Sequence, residues 1–299
     1  MLLRHLRYLL AVAEHGNFSR AAQALHVSQP TLSQQIKQLE ESLGAELLDR
    51  SARTVRPTDA GQVYIDYARK ALGDLEAAQR AIHDVKDLSR GTLRLAMTPT
   101  FMAYLAGPLI KVFNTSHPGI RLNIFELSLD EIEKRLGNDS LDLAIAFTDV
   151  RDPEIECVPL FVETLGLMVG RNHPLYGRKE PLTGDEFAAL PLVLLTRDFI
   201  TRGCIDDFCR RIGVVPTVTM EANSVSAILE IVRHICVATI LPDQTATPER
   251  GVQRIALADG APERSAALLR RRTAWQSAAT VEFIRTAHNW CAQGQFAKR

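Results

Sequence analysis

Over the first 60 residues, apolar positions recur at helical spacing. Leu2, Leu6, Leu9 and Ala13 form one stripe that stops at Gly16, predicting a helix from Leu2 to about Glu14. Ala21, Ala22 and Ala24 build a short second helix, Ser19 to Leu25, whose small side chains permit close packing. After a tight turn at His26-Val27, Ser28 is a suitable N-cap and Pro30 is tolerated in the first turn of a third helix. Leu32, Ile36, Leu39 and Leu43 then fall on one face, with Pro30, Gln34, Lys37 and Gln38 opposite and Thr31 and Ser33 on the flanks.

Residues 47–50 and 53–56 read as two short strands of a basic hairpin that Pro57 ends. Thr58 caps a helix running to about Leu88, about 45 Å long. Within it Tyr64, Ala68, Ala71, Leu75, Ala78, Ile82 and Val85 alternate steps of four and three. That heptad seam predicts a partner helix, because a lone helix of this length leaves the seam in water. Gly91 ends it.

From Thr92 the pattern alternates strand and helix, as in an α/β fold with mainly parallel sheets. Strands are expected at 93–97, 120–124, 141–147, 192–195 and 266–269, with helices near 101–113, 130–137, 204–212, 224–234 and 277–291. A stretch of this length predicts two lobes with a ligand site at the strand ends between them. The organisation is therefore a head at 1–58, a linker helix at 59–90 and a two-lobed unit at 91–299. Lobe I covers about 91–162 and 266–299, and lobe II about 163–265.

Charge excludes one class of function. The chain of 299 residues carries 35 basic and 35 acidic side chains, and the first 60 residues hold seven of one and six of the other. Nonspecific coating of DNA needs a basic excess, so any DNA binding here rests on the placement of a few groups. No leader-like segment or membrane-length apolar run is evident, and the chain is expected to be cytoplasmic. The five cysteines, Cys157, Cys204, Cys209, Cys236 and Cys291, read as free thiols, with a redox switch between Cys204 and Cys209 as the alternative. The scattered histidines lack metal-ligand spacing, and neither a nucleophile elbow nor a phosphate-binding glycine loop is present. No enzyme activity, metal or cofactor is expected.

The short second helix, tight turn, polar start of the third helix and basic hairpin together match a winged helix-turn-helix, with the third helix in the major groove. The residues from Phe18-Ser19-Arg20-Ala21-Ala22 through Val27-Ser28-Gln29-Pro30-Thr31-Leu32-Ser33-Gln34 carry a further likeness. With Leu39-Glu40-Glu41-Ser42-Leu43-Gly44 and Thr58-Asp59-Ala60-Gly61, this string resembles the LysR-type transcriptional regulators. The resemblance implies a winged head, a dimerising linker helix, a sensor shaped like a periplasmic binding protein, assembly into homotetramers, and response to a small co-inducer. It places base contacts on Gln29, Pro30, Thr31 and Ser33, with Arg53 of the wing in the minor groove of double-stranded operator DNA. Position 34, commonly Arg in the family, is Gln34 here, which removes an Arg–guanine contact and permits one to adenine.

Further segments, among them Thr98-Pro99-Thr100-Phe101 and Glu221-Ala222-Asn223-Ser224, are similar to the regulators of cyanate-utilisation operons. Ile235 and Val237 stand where the wider family has two glycines, as in that sub-family. Cyanate is therefore the expected co-inducer, with the carboxylate or aromatic co-inducer of another catabolic operon as the alternative. Thr98, Pro99 and Thr100 follow a strand and open a helix, and Ser128 begins a capping-box pattern at a second strand-to-helix junction. Thr196 and Phe199 are expected on the facing wall. The 98–100 loop has no acidic residue, which suits an anion.

Overall fold

A computed structural model describes residues 3–51, 54–84, 91–247 and 251–293. The chain divides into two compact units, residues 1–85 with 137–140 and residues 86–136 with 141–299.

The N-terminal unit contains α1 (Leu3–His15), α2 (Phe18–Ala24), α3 (Gln29–Leu43), β1 (Leu48–Asp49), β2 (Arg56–Pro57) and α4 (Asp59–Asp84). Leu9, Val12, Leu32, Ile36 and Leu39 are fully enclosed where α1 and α3 pack. Leu43, expected on the same stripe, is 42% exposed, since α3 has run past this core before Gly44 ends it at a φ of 65°. Asn17 caps α2 by accepting from the amides of Ser19 and Arg20. The turn into α3 places His26 at a φ of 54°, in the left-handed region.

Two contacts fix the hairpin to the helices. The buried Glu40 carboxylate accepts from the Leu47 and Leu48 amides at 3.0 and 3.2 Å and pairs with Arg50 at 2.5 Å. Thr58 caps α4 by accepting from Gly61 N–H at 2.9 Å. A Cβ on Gly61 would lie 1.8 Å from the Leu47 carbonyl oxygen, so only glycine lets α4 approach the hairpin this closely. Along the predicted seam, Tyr64 packs on the head and Ala68 is buried, while Ala71, Leu75 and Ala78 are exposed. The Ile82 side chain and Val85 lie outside the described residues.

The C-terminal unit opens with β3 (Gly91–Met97), α5 (Pro99–Tyr104), α6 (Ala106–Ser116), β4 (Ile120–Glu126), α7 (Leu129–Gly137) and β5 (Leu143–Phe147). The long β6 (Ile155–Gly170) leads to α8 (Gly184–Ala188), β7 (Pro191–Leu195), α9 (Ile200–Arg211), β8 (Thr217–Ala222) and α10 (Val225–His234). The chain then forms β9 (Ala238–Pro242), β10 (Val252–Ile255), β11 (Glu263–Arg271) and α11 (Ala278–Gln293). The helix expected at 101–113 is two helices that break at Leu105, with Gly107-Pro108 in the first turn of the second.

The strand order is β4-β3-β5-β11-β6-β9-β7-β8, with β10 also on β6. It is mixed rather than mainly parallel. β3 pairs in parallel with β4 and β5, and β7 with β8 and β9, but β6 is antiparallel to β9, β10 and β11. The reason is topological: β6 crosses from lobe I to lobe II and β11 returns beside it. Each lobe has apolar clusters on the two faces of its own part of the sheet, around Phe101 and Leu136 in lobe I and around Phe187 and Ile228 in lobe II.

Candidate DNA-reading face and effector cleft

In the head, the N-terminal turns of α3 present the residues expected to meet bases. Gln29, Pro30, Thr31 and Gln34 are exposed and Ser33 is half-buried. Ser28 accepts from Thr31 N–H at 3.3 Å, and the two hydroxyls lie 2.7 Å apart, which orients the Thr31 side chain on the helix rim. Gln29 and Gln34 keep their amides in solvent, and an amide is the group that pairs with an adenine edge. Arg53 lies outside the described residues. Arg50 is spent within the head, paired with Glu40 and stacked 5.3 Å from the Phe18 ring centroid. Arg56 is exposed on β2, opposite Asp49.

In the C-terminal unit a cleft of about 550 Å³ opens between the lobes. Thr98, Pro99, Thr100, Ser128 and Phe199 all line it. Thr196 stands outside the lining, with its hydroxyl enclosed and without a partner among the described residues.

The hydroxyls differ in how they are used. Thr98 occupies the N-cap position of α5 but makes no capping bond. It is 3% exposed and its oxygen has no hydrogen-bond partner among the described residues. A buried hydroxyl without a partner is costly, so helix capping does not account for this residue. Ser128 does cap α7, accepting from Glu131 N–H at 3.4 Å. Glu131 turns to Arg135 at 2.7 Å instead of reaching back, so only half of the capping box forms. α5 has only six residues, too few for a helix dipole to define an anion site.

Thr100 is held by Arg264, which donates to its hydroxyl at 2.9 Å. The same guanidinium donates to the hydroxyl of Thr201, a lining residue from the first turn of α9. Arg264 pairs with Glu163 at 2.5 Å, and Tyr104 donates its phenol to the same carboxylate. Burial raises the Glu163 carboxyl above its ordinary value, against the opposing pull of Arg264 and Tyr104. None of Thr201, Arg264 and Glu163 stood out in the sequence. The hydroxyl two residues after Phe199 was the one available hint.

The rim departs from the anion argument built on the 98–100 loop. Glu126, Asp130, Asp149 and Asp198 line the cleft against Arg151 and Arg197, so its exposed edge is net acidic. These six side chains are solvated and screened, and the enclosed hydroxyl floor is the stronger determinant.

Cys204 and Cys209 both lie on α9, where residues five apart have Cα atoms roughly 8–9 Å apart. That exceeds the reach of a disulfide, about 7 Å. Burial pushes the Cys204 thiol up and the Cys209 thiol to about 11, away from the reactive thiolate. Among the described residues, no group of His, Cys, Asp or Glu is placed to hold a metal ion, and no helix is long and apolar enough to cross a membrane.

Two family models match this chain. Residues 3–62 match the bacterial regulatory helix-turn-helix protein of the lysR family, and residues 86–292 match the LysR substrate binding domain. The chain is 31% identical over 275 residues to a hydrogen peroxide-inducible genes activator of Pectobacterium carotovorum subsp. carotovorum, covering 91% of this chain and 90% of that one. It is 32% identical over 251 residues to the DNA-binding transcriptional dual regulator OxyR of Escherichia coli (strain K12), covering 84% and 82%. In fold it is similar to a full-length OxyR variant from Pseudomonas aeruginosa, with a TM-score of 0.73, 24% identity and coverage of 99% and 96%. It is also similar to full-length CbnR in complex with its target DNA, with a TM-score of 0.71, 24% identity and coverage of 97% and 99%. The names of these relatives do not carry the cyanate assignment. The exposed face of α3, the sensor with its cleft, and the two matches that together span nearly the whole chain lead to one conclusion: this protein belongs to the LysR family and is a DNA-binding transcriptional regulator.

Proposed function

We propose that this regulator reads its operator through Gln29, Pro30, Thr31, Ser33 and Gln34, with Arg53 in the adjacent minor groove. Its action at the promoter is tuned by a small molecule seated between the sensor lobes. The observation that carries the second half is Thr98, whose buried, unpartnered hydroxyl lines the cleft. As the family resemblance implies, the protein works as an assembly, a dimer through the exposed α4 positions Ala71, Leu75 and Ala78 and a tetramer through further contacts.

The cleft bears on the co-inducer's size. A triatomic anion such as cyanate occupies roughly 50 Å³, somewhat more than a water's share of the liquid. The cleft of about 550 Å³ is of the class that encloses a whole organic ligand. With Phe147, Phe199 and Ile200 beside the threonines, it favours an organic carboxylate with an apolar body. Cyanate rests on the sequence resemblance alone.

The peroxide response named for the relatives does not transfer through Cys204 and Cys209, for the geometric and thiol reasons given above. The test is a mobility-shift and footprinting titration on the DNA upstream of the neighbouring operon, with monocarboxylates from acetate to benzoate, cyanate, or hydrogen peroxide added. A carboxylate that alters the footprint supports the reading. A response to peroxide alone overturns it.

A further inference from the structure

One guanidinium joins the two lobes at the floor of the cleft. Arg264 Nη2 donates to Thr100 Oγ1 of lobe I at 2.9 Å, and Nη1 donates to Thr201 Oγ1 of lobe II. Both threonines are 1% exposed and both line the cleft. Arg264 has little freedom to move. Its Nε donates to Glu163 at 2.5 Å, and its guanidinium lies 4.3 Å from the Phe147 ring centroid and 5.6 Å from that of Phe101. Tyr104 holds the second oxygen of Glu163.

A threonine oxygen carries one proton and two lone pairs. On Thr100 and Thr201 a charged N–H takes one lone pair, draws density from the O–H bond and repels an approaching cation. Among the described residues neither hydroxyl has another partner, so each keeps its proton to give. The unpartnered Thr98 hydroxyl lines the same cleft.

We infer that Arg264 is the positioning residue that turns Thr100 and Thr201 into paired donors, so that the co-inducer enters by an acceptor group, a carboxylate or similar anion, gripped by both lobes at once. This rests on the reading that the cleft holds the co-inducer. A purely structural Arg264 would tie the lobes together without setting the polarity of what binds between them.

The test is calorimetry on the full-length protein with monocarboxylates from acetate to benzoate, with cyanate, and with benzamidine, the cationic isostere of benzoate. At least one anion should bind, and benzamidine should not. Thr100→Val and Thr201→Val keep the shape and should each weaken that anion about 10- to 100-fold, as loss of a hydrogen bond to a charged group does. Thr201→Ser, which keeps the hydroxyl, should restore it to within a few-fold of the parent. Arg264→Lys keeps the charge but loses the fork, and should weaken the anion about as much as either valine variant. Thermal unfolding of each variant separates a lost contact from a lost fold. Both valine variants binding the anion like the parent would overturn the donor assignment while leaving the cleft reading intact. Preference for benzamidine would invert the polarity and overturn it as well. No binding by any anion would reject this inference and the carboxylate reading together.

Discussion

Arg264 and Glu163 stand directly opposite each other across the antiparallel ladder of β11 and β6, and their side chains form a salt bridge of 2.5 Å at 4% and 0% exposure. Breaking a buried pair from one side leaves an uncompensated charge. Glu163→Ala should therefore destabilise the sensor by about 3–5 kcal/mol. Replacing both partners, Arg264→Met with Glu163→Met, should recover most of that loss. Urea unfolding followed by tryptophan fluorescence is the measurement, and a double variant no better than Glu163→Ala contradicts the account.

The recognition face makes a separate prediction. Gln29→Ala should cost about 1–3 kcal/mol at one operator position and relax base preference there. Fluorescence anisotropy on the operator and on single-base variants reads this out. Equal losses on operator and random DNA would mean that Gln29 only supports the backbone contacts.

Close packing at Gly61 predicts a defect in the head alone. Gly61→Ala places a methyl group 1.8 Å from the Leu47 carbonyl, which forces α4 off the hairpin. Overpacking of this kind costs about 1–3 kcal/mol or more. Hydrogen exchange should show faster opening of residues 47–61 with protection of the sensor unchanged, and uniform protection would argue against the contact.

The exposed stretch of α4 predicts an assembly defect. Leu75 is 46% exposed in the single chain, and an aspartate there would bury an unpaired charge in a dimer seam. Leu75→Asp should shift sedimentation to the single-chain species at micromolar concentration. A variant that sediments as the parent places the seam elsewhere.

One pH effect is centred on the α8 region. The side-chain hydrogen bond from Arg178, followed by the Thr183 backbone amide, lowers the Glu186 carboxyl to about 2. A depressed carboxyl contributes stability above its ordinary value of about 4.5 and loses it as pH falls toward 2. Both groups are solvated, so the effect is local. Carboxyl NMR should place the Glu186 midpoint near 2 in the parent and closer to 4.5 in Arg178→Ala, and a midpoint unmoved by that variant would remove Arg178 as the cause.

The head was legible in the sequence because its determinants are local. Helix period, the caps at Ser28 and Thr58, and the small residues Ala21 and Ala22 act within a few positions, and Leu32, Ile36 and Leu39 are buried as their spacing requires. The Thr98–Thr100 loop was legible for the same reason, being a strand-to-helix junction. β6 was not. Pro159 and Gly166 interrupt its apolar run, and its pairing with β9, β10 and β11 depends on segments far along the chain. The cleft floor lay further out of reach. Glu163 and Arg264 are 101 positions apart, and an isolated charge in a sequence reads as a solvated one. Only strand register sets them side by side, and only the two crossings between lobes bring Thr100 and Thr201 to the same guanidinium. The acidic rim, too, is gathered from separate segments of both lobes. Local chemistry determined that this chain carries a helix-turn-helix head and a two-lobed sensor, whereas the polarity proposed for the cleft rests on contacts that exist only once the sheet has paired.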